Sequence, residues 1–401
     1  MKSGSRKKGS KKRGGATACQ VDTPAVKSGR GSRLTLVCHE EYKRKNGQPN
    51  EMLRLLSPCY CTYSVDDGEA RMVIAGTRLE LECILPFGEF ALQKPLPDGD
   101  DKSKPFRIGE SEKQGLGMFA TRLIRAGELI IAERPTVLAS KKVSPEPSFN
   151  DAALAALSDG ARASFMALAD SCSPELSHPL LGRIAINSFD SGPMTDDEDT
   201  LVEFAATYIT LSRANHDCVG NANYQWLKTR WCGQFFAKRD IPAGEEITVS
   251  YTFALTQADR HAAMKERYSC ECLCKTCSDA TPEDVRRSDQ QRKMVAHVRD
   301  ALQSALYSSL CPTVSEESLQ RVLEHAQEEG MMISYATIAF LASRMLTKRE
   351  GPVVALKWLK VARQAYVTTL GKEAWEVSQV DKHGWFLTTV LRSRGAVYSW
   401  P

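Results

Sequence analysis

The apolar positions change rhythm along the chain. From Leu34 to about Leu92, short apolar runs (L-T-L-V, M-V-I-A, L-E-L-E-C-I-L) stand between polar stretches, and the last alternates as a strand does. This predicts a β-rich or partly ordered extension over residues 33–105. Its end, K-P-L-P-D-G-D-D-K-S-K-P, reads as a linker or exposed loop. From Phe106 onward, short strand-like runs (L-I-I-A-E, W-C-G-Q-F-F-A-K, I-T-V-S-Y) are separated by turns at Ala126-Gly127 and R-D-I-P-A-G-E-E. Within this β-rich part, A-A-L-A-A-L and S-F-M-A-L-A carry helical faces, which predicts a helical insertion over about 140–205. The acidic loop S-G-P-M-T-D-D-E-D-T is expected to cap a helix starting near Thr200. Asp259 to Tyr268 predicts a further short helix.

From about Pro282 the apolar residues recur three and four apart, as in M-V-A-H-V-R-D-A-L and I-S-Y-A-T-I-A-F-L. Val354, Trp358, Val361, Ala362 and Ala365 form one stripe, and Trp375 and Trp385 fall in or after further such segments. The expectation is an all-helical region over 281–401, built of antiparallel helical pairs without clear internal repeat identity. The fold class read from the chain is therefore α+β with an all-helical C-terminal region.

Composition bounds the partners. The 401 residues are 42% hydrophobic and 25% charged, which is ordinary for a globular chain. No apolar run approaches the roughly 20 residues needed to span a bilayer, and no apolar stretch follows the basic N-terminus, so neither a membrane nor a secretory signal is expected. Lys2, Arg6, Lys7, Lys8, Lys11, Lys12 and Arg13 supply seven of the positive charges; without them the net +4 becomes about −3. Nucleic acid is thus expected to meet the basic tail or nothing. Residues 1–32, rich in Gly, Ser, Lys and Arg, are expected to be a disordered arm.

Candidate chemistry concentrates in three places. Arg213 to Gln225 reads R-A-N-H-D-C-V-G-N-A-N-Y-Q, with apolar sequence on both sides. Asn215 and His216 in such a setting are costly unless their polar atoms are used. Cys270, Cys272, Cys274 and Cys277 lie in eight residues, and C-x-C-x-x-C can wrap one tetrahedral zinc. A closed site needs a fourth ligand, and the spacing leaves Cys270 and Cys218 both open. Cys38, His39, Cys59 and Cys61 fit no closed finger spacing. Gly115 and Gly117 sit in a turn between two short strands, where missing side chains let a ligand approach the backbone.

The order G-L-G-M-F-A-T-R, N-H-D-C-x-x-N-A, G-E-E-I-T-V-S-Y, C-x-C-x-x-C resembles a SET-domain protein-lysine methyltransferase with a post-SET zinc site. It is similar to the split-SET group of SET and MYND proteins and their fungal relatives, over roughly residues 106–278. No MYND finger is recognisable after the first SET segment. The resemblance implies a SET domain over 106–265, a zinc segment over 266–280, and a tetratricopeptide-like tail. It implies an S-adenosylmethionine pocket lined by Gly115, Gly117 and Met118 through the backbone, with Asn187, Asn215, His216 and Tyr268 around the cofactor. Tyr251 and Tyr208 are the implied catalytic aromatics. Cys218 is the implied fourth zinc ligand beside Cys272, Cys274 and Cys277.

The expected reaction is methyl transfer to a lysine amine of a histone or another protein, by a monomer in nucleus or cytoplasm, with a peptide or chaperone as a further partner of the helical tail. The alternative is a SET scaffold for protein interaction. Three positions depart from the pattern: Gly220 where Pro is usual, Asp217 where Ser is commoner, and Cys270 where an aromatic is usual.

Overall fold

The computed structural model describes residues 19–20, 33–38, 58–64, 70–97, 104–112, 115–141, 146–171, 178–194, 202–306 and 314–401. The basic cluster of the first 13 residues and His39 lie outside them. The described strands are β1 (Cys19–Gln20), β2 (Arg33–Cys38), β3 (Pro58–Ser64), β4 (Ala70–Thr77), β5 (Phe106–Glu110), β6 (Leu116–Ala120), β7 (Leu129–Glu133) and β8 (Val137–Ser140), followed by β9 (Ser188–Pro193), β10 (Glu203–Thr207), β11 (Asn215–His216), β12 (Ala222–Leu227), β13 (Cys232–Ala237) and β14 (Glu246–Val249). The helices are α1 (Arg78–Gln93), α2 (Pro147–Ala155), α3 (Asp159–Met166), α4 (Pro179–Asn187), α5 (Gln257–Tyr268) and α6 (Lys275–Ser278). The C-terminal region holds α7 (Pro282–Ala305), α8 (Glu316–Glu328), α9 (Met332–Arg349), α10 (Pro352–Leu370) and α11 (Trp375–Ser393).

Three sheets form the β part. One runs β1-β2-β3-β4-β8-β10-β9, the second β11-β14-β6-β5 and the third β12-β13-β7. The join between β4 and β8 is parallel, with Val73 opposite Val137, so the N-terminal strands extend the sheet that carries the helical insertion. Phe204, Phe235, Trp231 and Ile74 are fully buried in the core these sheets share.

Two expectations from the pattern are corrected. L-E-L-E-C-I-L is helical, not a strand: it lies in α1, where Leu81, Ile84, Ala91 and Leu92 are buried at helical spacing. Thr77 and Glu80 close a capping box at its start, a local signal that outweighs four alternating residues. Gly88 in the same helix lets the Trp231 indole pack against it, since a Cβ there would lie 2.4 Å from the ring. Thr200 itself lies outside the described residues, but Glu203–Thr207, where the helix expected to start there would run, is strand β10, which pairs with β8 and β9 and buries Phe204 and Ala206 on one face.

The C-terminal region has helices as its only regular elements among the described residues, the last ending at Ser393, and its core holds Ala339, Ala342, Leu346, Leu359 and Ala362. In the expected stripe, Trp358, Ala362 and Ala365 are buried while Val361 is 38% exposed, one residue off the buried face. This region docks on the third sheet through the end of α10. Gly371, at φ +83°, abuts Phe236, and Asn223 donates its Nδ2 to Thr369 O at 3.3 Å.

Candidate active site and metal centre

The site is built on a loop that crosses between strands. The carboxylate of Glu133, at the end of β7, accepts from the backbone N–H groups of Ile209, Thr210 and Leu211 at 2.8–3.2 Å. Burial raises this carboxyl, and the three N–H groups oppose the shift. Glu133 thus caps the short 3-10 turn Leu211–Arg213 that delivers the chain to Asn215. Next, β11 pairs in parallel with β14, Asn215 opposite Thr248 and His216 opposite Val249. Asn221 fixes the same strand from the far side of the loop: its Oδ1 accepts from Thr248 N at 2.9 Å and its Nδ2 donates to Glu246 O at 2.8 Å.

Every side-chain nitrogen of the Asn-His pair is engaged. Asn215 donates Nδ2 to Glu246 Oε1 at 2.7 Å and to Leu116 O at 3.3 Å. Glu246 also accepts from Ser111 Oγ at 3.2 Å, so it ties β5, β6 and β11 together. A Cβ on Gly117 would lie 2.3 Å from Glu246 Oε1 and 3.2 Å from Asn215 Nδ2, so a side chain there would displace this pair. Gly115 is different: it sits at φ +51° with open space around it. Met118 is fully buried within β6, opposite Ile108 on one side and Ile247 on the other.

His216 Nδ1 accepts from Tyr251 N at 3.0 Å, and its Nε2 lies 3.5 Å from Cys218 Sγ. Tyr251 donates its hydroxyl to Ala214 O at 2.7 Å. Its ring packs 4.9 Å from that of Tyr268 and 5.3 Å from that of His216. Burial pushes the Tyr251 hydroxyl well above its usual range, so it is a neutral phenol at physiological pH. The Arg267 guanidinium lies over the Tyr268 ring at 5.5 Å and its Nε donates to Ala185 O, joining α5 to α4.

Two other residues are spent differently. The Asn187 side-chain amide is turned into the insertion, its Nδ2 donating to Ala169 O and Arg183 O at 2.8 Å, while the backbone carbonyl of Asn187 accepts from Ser212 Oγ at 2.7 Å. Tyr208 is fully buried among Phe189, Tyr224 and Phe235, and its hydroxyl lies 2.9 Å from that of Tyr224. Both phenols are raised by burial.

The metal centre selects between the two candidate fourth ligands. The Sγ atoms of Cys218, Cys272, Cys274 and Cys277 all lie within 4.8 Å of one another, and among the described residues this is the one such cluster. Cys218 Sγ is 3.7 Å from Cys272 Sγ and 3.5 Å from Cys277 Sγ. A tetrahedron with Zn–S bonds of about 2.3 Å has edges of about 3.8 Å, so the donor set and its size fit zinc. The hydrogen bond with Cys218 raises the Cys272 thiol and lowers that of Cys277, so protons are shared unevenly among crowded sulfurs. A divalent cation would replace those protons. Cys270 stays outside the set and packs partly buried beside Tyr251 and Tyr268.

The departures at Gly220 and Asp217 have a common physical reason. Asp217 Oδ1 accepts from Val219 N at 2.9 Å and Gly220 N at 3.3 Å, a side-chain turn that sets the loop. Gly220 takes φ +32°, and a Cβ on it would lie 3.0 Å from Val249 Cα. Proline, held near φ −65°, could not stand there.

Residues 115–252 match the family model described as SET domain. The chain is 27% identical over 193 residues to histone-lysine N-methyltransferase set5 of Schizosaccharomyces pombe, covering 48% of this chain and 56% of that protein. It is 45% identical over 67 residues to histone-lysine N-methyltransferase SET9 of Gibberella zeae, 16% of this chain and 8% of that one. To protein-lysine N-trimethyltransferase SMYD5 of Gallus gallus it is 27% identical over 132 residues, 31% of each chain. The chain therefore spans little more than half the length of the first of these relatives and less of the others.

Proposed function

From a chain that carries a SET domain related to the fungal set5 and SET9 proteins and to SMYD5, we propose an S-adenosylmethionine-dependent protein-lysine N-methyltransferase of the split-SET type. The observation that carries this reading is the convergence of Asn215, His216, Tyr251 and Tyr268 on one loop whose next cysteine joins a four-thiol centre.

The residues suit the cofactor. Gly115 leaves open space at the β5–β6 turn, and Gly117 keeps the Asn215–Glu246 pair in place beside it. Tyr268 supplies a partly buried aromatic wall. When bound, S-adenosylmethionine supplies an electron-poor methyl on a sulfonium. The protein's task is then to hold a neutral lysine amine in line with that methyl. The Tyr251 hydroxyl donates to Ala214 O, which leaves its oxygen lone pairs to accept from the amine. Because that phenol is raised by burial, it orients the amine and does not take up its proton. His216 has both ring nitrogens engaged, one by Tyr251 N and one beside Cys218, so it is a scaffold for the site and not a general base.

The substrate in this reading is a protein lysine, in a histone or another protein, met by a monomer in the nucleus, the cytoplasm or both. The helical region over 281–401 forms a wall of the substrate cleft and serves as the surface for a further peptide partner. Cys270, in the place of an aromatic, favours one second reading: a SET scaffold that binds cofactor and partner without transfer. Binding and transfer measured on one preparation separate the two. Titration calorimetry reads S-adenosylmethionine binding, and mass spectrometry reads methyl-lysine after incubation with core histones and with a cell lysate. Methyl-lysine formed above a no-enzyme control is the expected result; cofactor binding with no methyl-lysine in any protein establishes the scaffold.

A further inference from the structure

Outside the SET domain, the C-terminal helical region reaches the loop that carries Asn215 and Cys218. Arg292 of α7 is buried and donates Nη2 to the backbone carbonyl of Cys218 at 3.2 Å. Its Nε donates to Glu329 Oε2 at 2.7 Å, and Nη2 also reaches Glu329 O at 3.4 Å. Ser288 Oγ donates to the same Glu329 carboxylate at 2.8 Å. One residue on, Lys238 Nζ donates to Val219 O at 2.5 Å and to Gly330 O at 3.2 Å. Gly330, at φ +65° in the turn between α8 and α9, sits so close to Val219 O that a Cβ would lie 2.6 Å from it.

Two consecutive carbonyls of the metal-binding loop are thus held by side chains, and one of those side chains belongs to the helical region. A buried Arg–Glu pair is costly unless the remaining donors are used, and here a remaining donor is used on Cys218. On its other side the same loop is fixed to Glu246, Val249 and Tyr251. The carbonyls and the functional side chains therefore cannot move independently.

We propose that Arg292 is a positioning residue through which the helical region sets the conformation of the 215–220 loop, and with it both zinc retention and cofactor affinity. The cofactor half of this statement rests on the function proposed above; the zinc half does not.

The test compares full-length Arg292→Lys, Arg292→Gln and Gly330→Ala with Arg363→Gln. The last breaks the Arg363–Asp381 pair between α10 and α11, within the helical region and away from the loop. Three quantities are measured: Tm, the rate of zinc release to a chromogenic chelator, and S-adenosylmethionine Kd by calorimetry. Arg292→Lys keeps the charge but loses the planar fork. It is expected to release zinc faster and to bind the cofactor about tenfold more weakly, with a Tm no lower than that of Arg363→Gln. Gly330→Ala is expected to shift zinc release and Kd in the same direction. Zinc release and Kd unchanged in both Arg292→Lys and Gly330→Ala, at Tm losses matching Arg363→Gln, would overturn the proposal. If the unmodified protein binds no S-adenosylmethionine, the proposed function fails, while the zinc-release comparison still decides the coupling.

Discussion

Stripping the metal from the Cys218, Cys272, Cys274 and Cys277 centre should weaken S-adenosylmethionine binding by at least about 100-fold, and returning zinc should restore it. The reason is covalent continuity. Cys218 is three residues from Asn215 and two from His216, and the His216 ring lies against its sulfur. Without a cation, four buried or half-buried thiols within 4.8 Å retain protons and lose their common anchor. The loop then loses its hold on α5 and the segment that follows it, and Tyr268 with it. Calorimetry on metal-loaded, stripped and reconstituted protein reads the change. Hydrogen exchange at residues 215–221, faster in the stripped protein, would localise it. Cofactor affinity independent of metal would separate the two sites.

Replacing His216 by Ala should damage both sites at once. Its Nδ1 is the acceptor for the Tyr251 N–H, and losing a partner for such a buried group costs about 1–3 kcal/mol. Its Nε2 neighbours a metal ligand, and removing support of that kind typically costs about 10–100-fold in metal affinity. The expected variant therefore melts several degrees lower, loses zinc readily and transfers methyl groups poorly at every pH. A loss of transfer confined to low pH, with zinc affinity intact, would instead make the imidazole an acid-base group.

Much of this arrangement is legible in the order of residues because each motif is local. C-x-C-x-x-C announces three ligands by spacing alone, and N-H in an apolar run announces polar atoms that must be used. The pieces that escape are those whose meaning lies in a distant partner. Glu133 looks like the end of a strand, yet it caps a turn 76 to 78 residues further on. Glu246 stands inside G-E-E-I-T-V-S-Y, but its bond to Asn215 exists only once β14 and β11 are side by side. Gly220 reads as the loss of a rigid proline; the structure shows a crowded approach to Val249 that demands glycine.

Secondary structure failed where two periods competed. Residues 79–82 alternate like a strand, while Leu81, Ile84, Leu85 and Gly88 follow a helix, and the Thr77–Glu80 capping box decides for the helix. Phe204 and Ala206 alternate too, but the acidic loop before them looked like a helix start and concealed the strand. For Asn187, no pattern in the chain tells that its amide turns toward Ala169 and Arg183.

In the proposed function the Tyr251 hydroxyl stands where a lysine amine receives a methyl group. Incorporation of labelled methyl from S-adenosylmethionine into core histones and lysate proteins tests it, with the unmodified protein and Tyr251→Phe run side by side at matched zinc content. The expected result is incorporation by the unmodified protein and a fall of about 100-fold in Tyr251→Phe. Equal incorporation by the two proteins, or none by either with any substrate, would contradict it.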